Sequence, residues 1–335
     1  MSQRPALTVA IPTCNGARHL REALASIRSQ KGGSFDLVVS DDCSDDATLA
    51  TVREELGDRA QVSINPERLG LAGNWNRCVN LSRTEWVAIF HQDDVMRPGH
   101  LANHLSLIRS DPGVPLGLIA GPVEMIDEAG QPVSPRVVDP GGLDIRLGRS
   151  RDRPRPSVVV LTPGALLGVV AAKNPLRCSA VTIRKAAHKA VGGFDPSYRY
   201  AVDWDFWMRI GRDWGLAWSL GPATVAMRWH SASETHRFKT GTADLDEQVR
   251  LLDRFHQVDT AGRFPRIEAD RRVARAFLNR AHVALKAGDI ALARVCLARS
   301  QGARWAMALD PRLAIQMATL VLAPERARRW FGPGG

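Results

Sequence analysis

The sequence predicts an α/β protein: a mostly parallel sheet covered by helices on both faces, followed by an α-helical C-terminal extension. Three observations carry that prediction. Short apolar runs alternate with amphipathic helical stretches through the first hundred residues. The strand runs are apolar almost throughout, as strands buried on both faces are. From about residue 242 onward the pattern is helical.

Residues 6–11 form the first β-rich run, which Pro12 is expected to stop. Residues 17–30 have helical periodicity, with Leu20, Ala23, Leu24 and Ile27 on one face. Residues 35–39 give a second strand, and Asp45 is placed to cap a helix reaching Leu56. Residues 61–64 form a third strand, ended by Asn65-Pro66; a helix at 72–81 and a strand at 86–90 follow. Residues 127–157 are rich in Pro, Gly and Arg and read as a long surface loop. A helix at 162–172, a strand at 178–183 and a helix at 203–213 come next. The helices at 273–286 and 290–300, joined by Ala287-Gly288-Asp289, resemble one tetratricopeptide-type unit. The expected division is residues 1–240 and a basic helical extension at 241–335.

At 335 residues, 44% apolar and 24% charged, the composition is that of an ordinary globular protein. The start shows no secretory signal, and no apolar run is long enough to span a bilayer. Five scattered cysteines without a Cys-x-x-Cys pair fit reduced thiols, so a cytoplasmic location is expected. The net charge is +10, and from His236 onward 18 Lys and Arg stand against 10 Asp and Glu. That excess is read as a solvated Arg-rich face, with peripheral contact at the inner face of a membrane as the functional alternative. Nucleic acid is not among the expected partners.

In an open parallel sheet, ligands bind beyond the carboxyl ends of the strands. The segments found there are Pro12-Thr13-Cys14-Asn15-Gly16, Ser40-Asp41-Asp42-Cys43-Ser44 and His91-Gln92-Asp93-Asp94. Adjacent aspartates raise each other's pKa unless a cation is present. A Mg²⁺ or Mn²⁺ ion shared between carboxylate and diphosphate resolves that conflict. Asp41 or Asp42 is then expected to accept hydrogen bonds from a base or ribose. No Gly-x-Gly-x-x-Gly and no Gly-Lys-Ser/Thr loop is present, which argues against a nicotinamide dehydrogenase and a P-loop NTPase.

These strand-end segments, together with Gly192-Gly193-Phe194-Asp195 and residues 203–209 (Asp-Trp-Asp-Phe-Trp-Met-Arg), resemble the family 2 glycosyltransferases of the GT-A fold. The match runs over roughly residues 7–236. The resemblance implies an inverting transfer from a nucleotide-sugar donor to a glycan, polysaccharide or lipid-linked acceptor, in cell-envelope or polysaccharide biosynthesis. It implies Asp203 as the base that deprotonates the acceptor hydroxyl. It implies a donor site at Pro12, Thr13, Asn15, Asp41, Asp42, Asn74 and Asp93, and a metal at Asp93 and Asp94 with His230. Trp204 and Trp207 are weighed as acceptor-stacking rings against core packing. Asp205 is grouped with them, although its helical position suits local pairing.

The chain departs from the family pattern at three places. His91 replaces the first acid of the metal motif, and is either a ligand or a neighbour. Val202 replaces the glutamate before the base. Asn74-Trp75-Asn76 stands where Ala-Arg-Asn is common, leaving Arg77 as a candidate substitute for a donor-binding arginine. His100 and His104, one turn apart, are expected as a surface pair, and Cys14, Cys43 and Cys78 as packing residues near the rim. A nucleotidyltransferase and a non-catalytic carbohydrate-binding scaffold are the alternatives.

Overall fold

The first strand, β1 (Leu7–Thr13), runs two residues past the last one expected, through Pro12 to Thr13. Ala10 accepts from Phe90 on the side of β4 (Trp86–Ile89), whereas Thr13 accepts from Asp42 on the side of β2 (Asp36–Asp41). Pro12, two residues after Ala10, therefore turns its missing N–H towards β4 beyond the point where β4 ends, so no ladder bond is lost. The computed structural model describes residues 5–110, 112–133, 157–230, 241–258 and 266–300. The chain divides into two units, Met1–Ser233 and Glu234–Gly335.

In the first unit, helix α1 (Ala17–Arg28) buries Leu20, Ala23, Leu24 and Ile27, the face that the periodicity selects. Helix α2 (Thr48–Leu56) begins at Thr48, and Asp46 serves its start rather than Asp45. The Asp46 carboxylate accepts the N–H of Thr48 (2.9 Å) and that of Ala17 (3.2 Å), joining the starts of two helices. β3 (Gln61–Ile64), α3 (Gly70–Leu81), β4, the short β5 (Val95–Met96) and α4 (His100–Arg109) follow.

Among the strands in stretches where the pattern showed no regular element are β6 (Leu116–Ala120) and β10 (Gly215–Ser219). Both are buried at every position, and each is a short apolar run that periodicity alone does not tell from a buried helix segment. β7 (Val123–Ile126), β8 (Val158–Leu161), α5 (Ala165–Ala172), β9 (Val181–Arg184), α6 (Lys185–Ala190), α7 (Val202–Asp213) and β11 (Val225–Arg228) complete the unit. The expected strand at 178–183 begins as a single 3-10 turn, Cys178–Ala180.

The main sheet has the order β3-β2-β1-β4-β9-β6-β10-β8, and β5-β11-β7 form a second sheet. β1, β2, β3 and β4 are parallel, while β9 runs antiparallel between β4 and β6. The core gathers Leu7, Val9, Ile11, Leu24, Val39, Phe90 and Ile119. His100 and His104 belong to this interior and not to the surface: both are buried, with ring centres 4.2 Å apart. Their Nδ1 atoms meet Thr224 at 2.9 Å and Thr182 at 2.7 Å, and burial holds both imidazoles below the ordinary histidine pKa. They sit one turn apart among the buried Leu101 and Leu105, so α4 packs this face inward. Of the predicted long loop, Asp127 caps a tight turn through the N–H groups of Ala129 and Gln131, and residues 134–156 lie outside the described residues.

The second unit contains α8 (Ala243–Val258), α9 (Arg266–Lys286) and α10 (Ile290–Ser300). α9 and α10 form a hairpin whose turn needs Gly288 at φ 80°. Leu245, Phe277, Ala281 and Cys296 form its core, and Arg280 pairs with Asp244 at 2.7 Å. Among the described residues, no helix is long and apolar enough to cross a membrane.

Candidate active site

The ends of β1 and β2 form one side of the rim. Asp41 is fully buried and accepts hydrogen bonds from the Thr13 hydroxyl (2.8 Å), the Ser44 hydroxyl (2.6 Å) and the Ser44 N–H (2.9 Å). Asp42 accepts from Asn65 Nδ2 (2.9 Å) and from the N–H groups of Leu69 (2.7 Å) and Gly70 (2.9 Å). Asn74 is buried too, donating to the Ser40 carbonyl and accepting from Asn65. Thr13, Asp41, Asp42 and Asn74, the residues expected to meet the donor, are thus buried and tied to one another and to the loops around them. Their polar atoms are engaged within the protein, where they shape the rim from beneath. Pro12 is half-buried and Asn15 exposed, so these two remain open to a ligand.

Asn15 and Cys43 have left-handed backbones, at φ 47° and 57°. Such conformations are costly for residues other than glycine and gather at functional loops. Asn15 is held there by its side chain, which accepts the Asp45 N–H at 2.9 Å. Cys14 and Cys43 are half-buried, whereas Cys78 is fully packed.

The end of β4 forms the other side. His91, Asp93 and Asp94 each bring a ligand atom to within 4.8 Å of the others. Asp94 is buried and occupied by the Ser179 hydroxyl and the Arg228 N–H (2.9 Å). Burial, and then the Asp93 charge, push its carboxyl up. Asp93 is more open. Burial works to raise it, but the hydrogen bond from His230 (3.0 Å) and the nearby imidazoles outweigh that, and it stays below the ordinary value. The predicted trio of Asp93, Asp94 and His230 is thus rearranged: His91 joins the two acids, and His230 donates to Asp93. His91 stacks on Trp75 at 5.2 Å and has a buried Nε2 with no partner among the described residues.

This donor set fits a hard divalent ion. Asp93 offers a half-open carboxylate and His91 brings Nδ1 to 3.8 Å from Asp94 Oδ2, so diphosphate oxygens would complete the shell, as Mg²⁺ and Mn²⁺ sites commonly require.

Three supporting residues escaped sequence reasoning. Arg228 is buried and reaches the Asp93 carbonyl (3.0 Å), the carbonyls of Asp127 and Glu128, and the Glu22 carboxylate (2.6 Å). Ser179 bonds both Asp94 and the His91 N–H. Gln92 clasps the backbone of Cys14 from both sides, at 3.0 Å each, joining the two rim loops. A Cβ at position 16 would push the end of the Gln92 side chain out of that clasp. All three act across more than 75 residues of sequence, where no local pattern signals them.

Asp203 opens α7, half-buried, with Asn174 Nδ2 donating to its Oδ2 at 3.1 Å. Burial pushes its carboxyl up, against the pull of Asn174 and the Arg177 charge. The buried Cys178 thiol is raised by burial and then by both Asp203 and Asp94, so the two acids act on one side chain from the two halves of the site.

Of the two readings weighed for Trp204 and Trp207 the structure shows core packing, and Asp205 makes the local pair that its helical position suits, so the acceptor contacts are corrected. Trp204 is 4% exposed and donates to the Val170 carbonyl, and Trp207 is 0% exposed, so no ring face is open to a sugar. Asp205 pairs with Arg209 at 2.6 Å in the buried interior. Gly193, at φ 75°, lies against Asn76, whose side chain holds the N–H and carbonyl of Phe194. Arg77 is exposed, and its Nη2 donates to the Ser63 hydroxyl on β3 at 3.4 Å.

Comparison with known proteins agrees with this architecture. The protein MT1568 of Mycobacterium tuberculosis is 31% identical over 255 residues, 74% of this chain and 75% of its own. Among solved structures, TarS 1–349 of S. aureus in complex with UDP-GlcNAc superposes with a TM-score of 0.52 at 16% identity, covering 87% of this chain and 90% of that one. The mannosyltransferase PcManGT of Pyrobaculum calidifontis, with GDP-Man and Mn²⁺, gives 0.51 at 19% identity over 98% and 83%. At such identities these two likenesses speak for the fold. Residues 8–142 match the profile described as Glycosyl transferase family 2. With the strand-end motifs, the sheet and these matches together, the chain belongs to glycosyltransferase family 2 and is a sugar-transferring enzyme.

Proposed function

We propose that this enzyme moves a sugar from a nucleoside-diphosphate donor to a hydroxyl of a glycan, polysaccharide or lipid-linked acceptor, in one inverting displacement. The observation that carries the reading is the pairing of two unlike acidic groups. Asp93, half-open beside His91 and Asp94, ends β4, while Asp203 opens α7. A nucleotide sugar bound in each of the two structural neighbours supports the donor class, and the Mn²⁺ of the mannosyltransferase supports the metal.

Asp93, with His91 and Asp94 beside it, would hold a Mg²⁺ or Mn²⁺ ion, which when bound supplies positive charge for the departing diphosphate. The protein's own residues do the rest. Arg228 and Ser179 fix the loop that carries Asp93. Pro12 and Asn15 line the open side of the donor rim. Asp203 takes the proton of the acceptor hydroxyl as the new glycosidic bond forms and the bond to diphosphate breaks. A carboxyl lifted by burial is a stronger base than an exposed one, provided that it is ionised at the working pH.

Replacing Asp203 by Asn tests the reading. Transfer should fall by about a thousandfold or more, within the range that removing a general base costs, while donor binding persists. Undiminished transfer in D203N, or a product that keeps the donor's anomeric configuration, would overturn it.

A further inference from the structure

Beyond the base itself, we propose that Asn174 and Arg177 are positioning residues that hold Asp203 as an oriented carboxylate. The inference rests on the reading of Asp203 as the base.

Both residues lie in the short connection between α5 and the turn Cys178–Ala180. Asn174 donates through Nδ2 to Asp203 Oδ2 at 3.1 Å, which fixes the orientation of that carboxylate oxygen. The other end of the same amide, Oδ1, is buried and has no partner among the described residues. An asparagine that served the scaffold would use both ends, because an unpaired buried acceptor is costly. The carboxylate fixes which way this amide faces, since flipping it would set oxygen against oxygen.

Arg177 adds to the arrangement from the same segment. Its Nη1 donates to the carbonyls of Asn174 (3.3 Å) and Leu176 (3.4 Å), which ties the connection into a rigid turn. Its positive charge also acts on Asp203. Position 202, beside the base, gives no polar support, because Val202 is apolar and 1% exposed. Support for the carboxylate therefore comes from across the chain. The groups that face Asp203 are Asn174 and Arg177 from the connection, the Cys178 thiol from the turn, and Trp204 and Trp207 from its own helix. Cys178 stays neutral, since burial raises its pKa well above the usual thiol value.

The test needs neither donor nor acceptor. The full chain is labelled with ¹³C at aspartate carboxyls, and the Asp203 signal is identified by its absence in D203N. Its titration is then followed in the wild type, N174A, N174D and R177M. The Asp203 pKa should rise by about one unit in N174A and in R177M. It should rise further in N174D, which is isosteric and sets a second carboxyl against the first. Melting curves identify any variant that has lost its fold, and N174D and R177M then carry the test. An Asp203 titration unmoved in the folded variants overturns the inference. Failure of the underlying reading looks different: D203N would keep its transfer activity whatever the titration shows.

Discussion

Asp41-Asp42 and Asp93-Asp94 each end a parallel strand of the same sheet, and in sequence they are nearly interchangeable. The structure treats them in opposite ways. Asp41 and Asp42 are surrounded by neutral donors: Thr13, Ser44, Asn65 and the N–H groups of Leu69 and Gly70. Each carboxylate is satisfied three times over, and both side chains are inside. At the second pair the donors are divided unequally. Asp94 takes Ser179 and the Arg228 N–H, while Asp93 is left half-open with imidazoles as neighbours. Acidic pairs at strand ends thus separate into a structural and a chemical kind according to the supply of N–H and O–H groups around them. In the first pair hydrogen bonds offset the repulsion between the carboxylates, whereas in the second burial and the Asp93 charge push the Asp94 carboxyl up.

Substitution should separate the two kinds, and the largest effect belongs to Asp93. D93N should lower kcat/KM by about a hundredfold or more, since several kcal/mol of charge stabilisation on the leaving group goes with the metal. Its melting temperature should move by no more than a few degrees. Steady-state kinetics beside a melting curve check both halves, and a stability loss that accounts for the lost activity would erase the distinction.

The smaller effect belongs to Asp42, and it falls on stability. In D42N the new NH₂ group meets a backbone N–H that has lost its acceptor, at a cost of about 2 kcal/mol. That corresponds to roughly 4–8 °C in Tm for a unit of this size. Activity of the folded fraction should stay within about tenfold of the wild type. A D42N protein that melts normally but is inactive would show that Asp42 meets the donor directly.

The parts of this molecule that are legible in sequence are those decided locally. The buried face of α1, the bounds of β3 and α10, and the placing of three polar segments at strand ends all follow from periodicity and turn chemistry. Asp203 at the start of α7 is legible through the family resemblance. What escapes is decided by distant partners. β6 and β10 are short apolar runs that periodicity alone does not tell from buried helix segments. The His100-His104 pair looks polar enough for the surface, yet Thr182 and Thr224, from elsewhere in the chain, satisfy one nitrogen of each ring in the interior. For Trp204 and Trp207 the sequence leaves core packing and acceptor stacking side by side, and the buried side of α7 decides for packing. Arg228, Ser179 and Gln92 have no local signature at all, because each matters through a loop far away in sequence.

The central claim is that Asp93, and not the Asp41-Asp42 pair, holds the metal on which donor binding depends. It is tested most directly by thermal shift with UDP-, GDP-, dTDP- and CDP-sugars, each with Mn²⁺, Mg²⁺ or EDTA, on the wild type, D93N and D42N. At ligand near 100 times Kd, binding should add about 2.7 kcal/mol of stability. The account predicts a shift with one nucleotide class that disappears in EDTA and in D93N and survives in D42N. A shift that persists in D93N, or that disappears only in D42N, would contradict it.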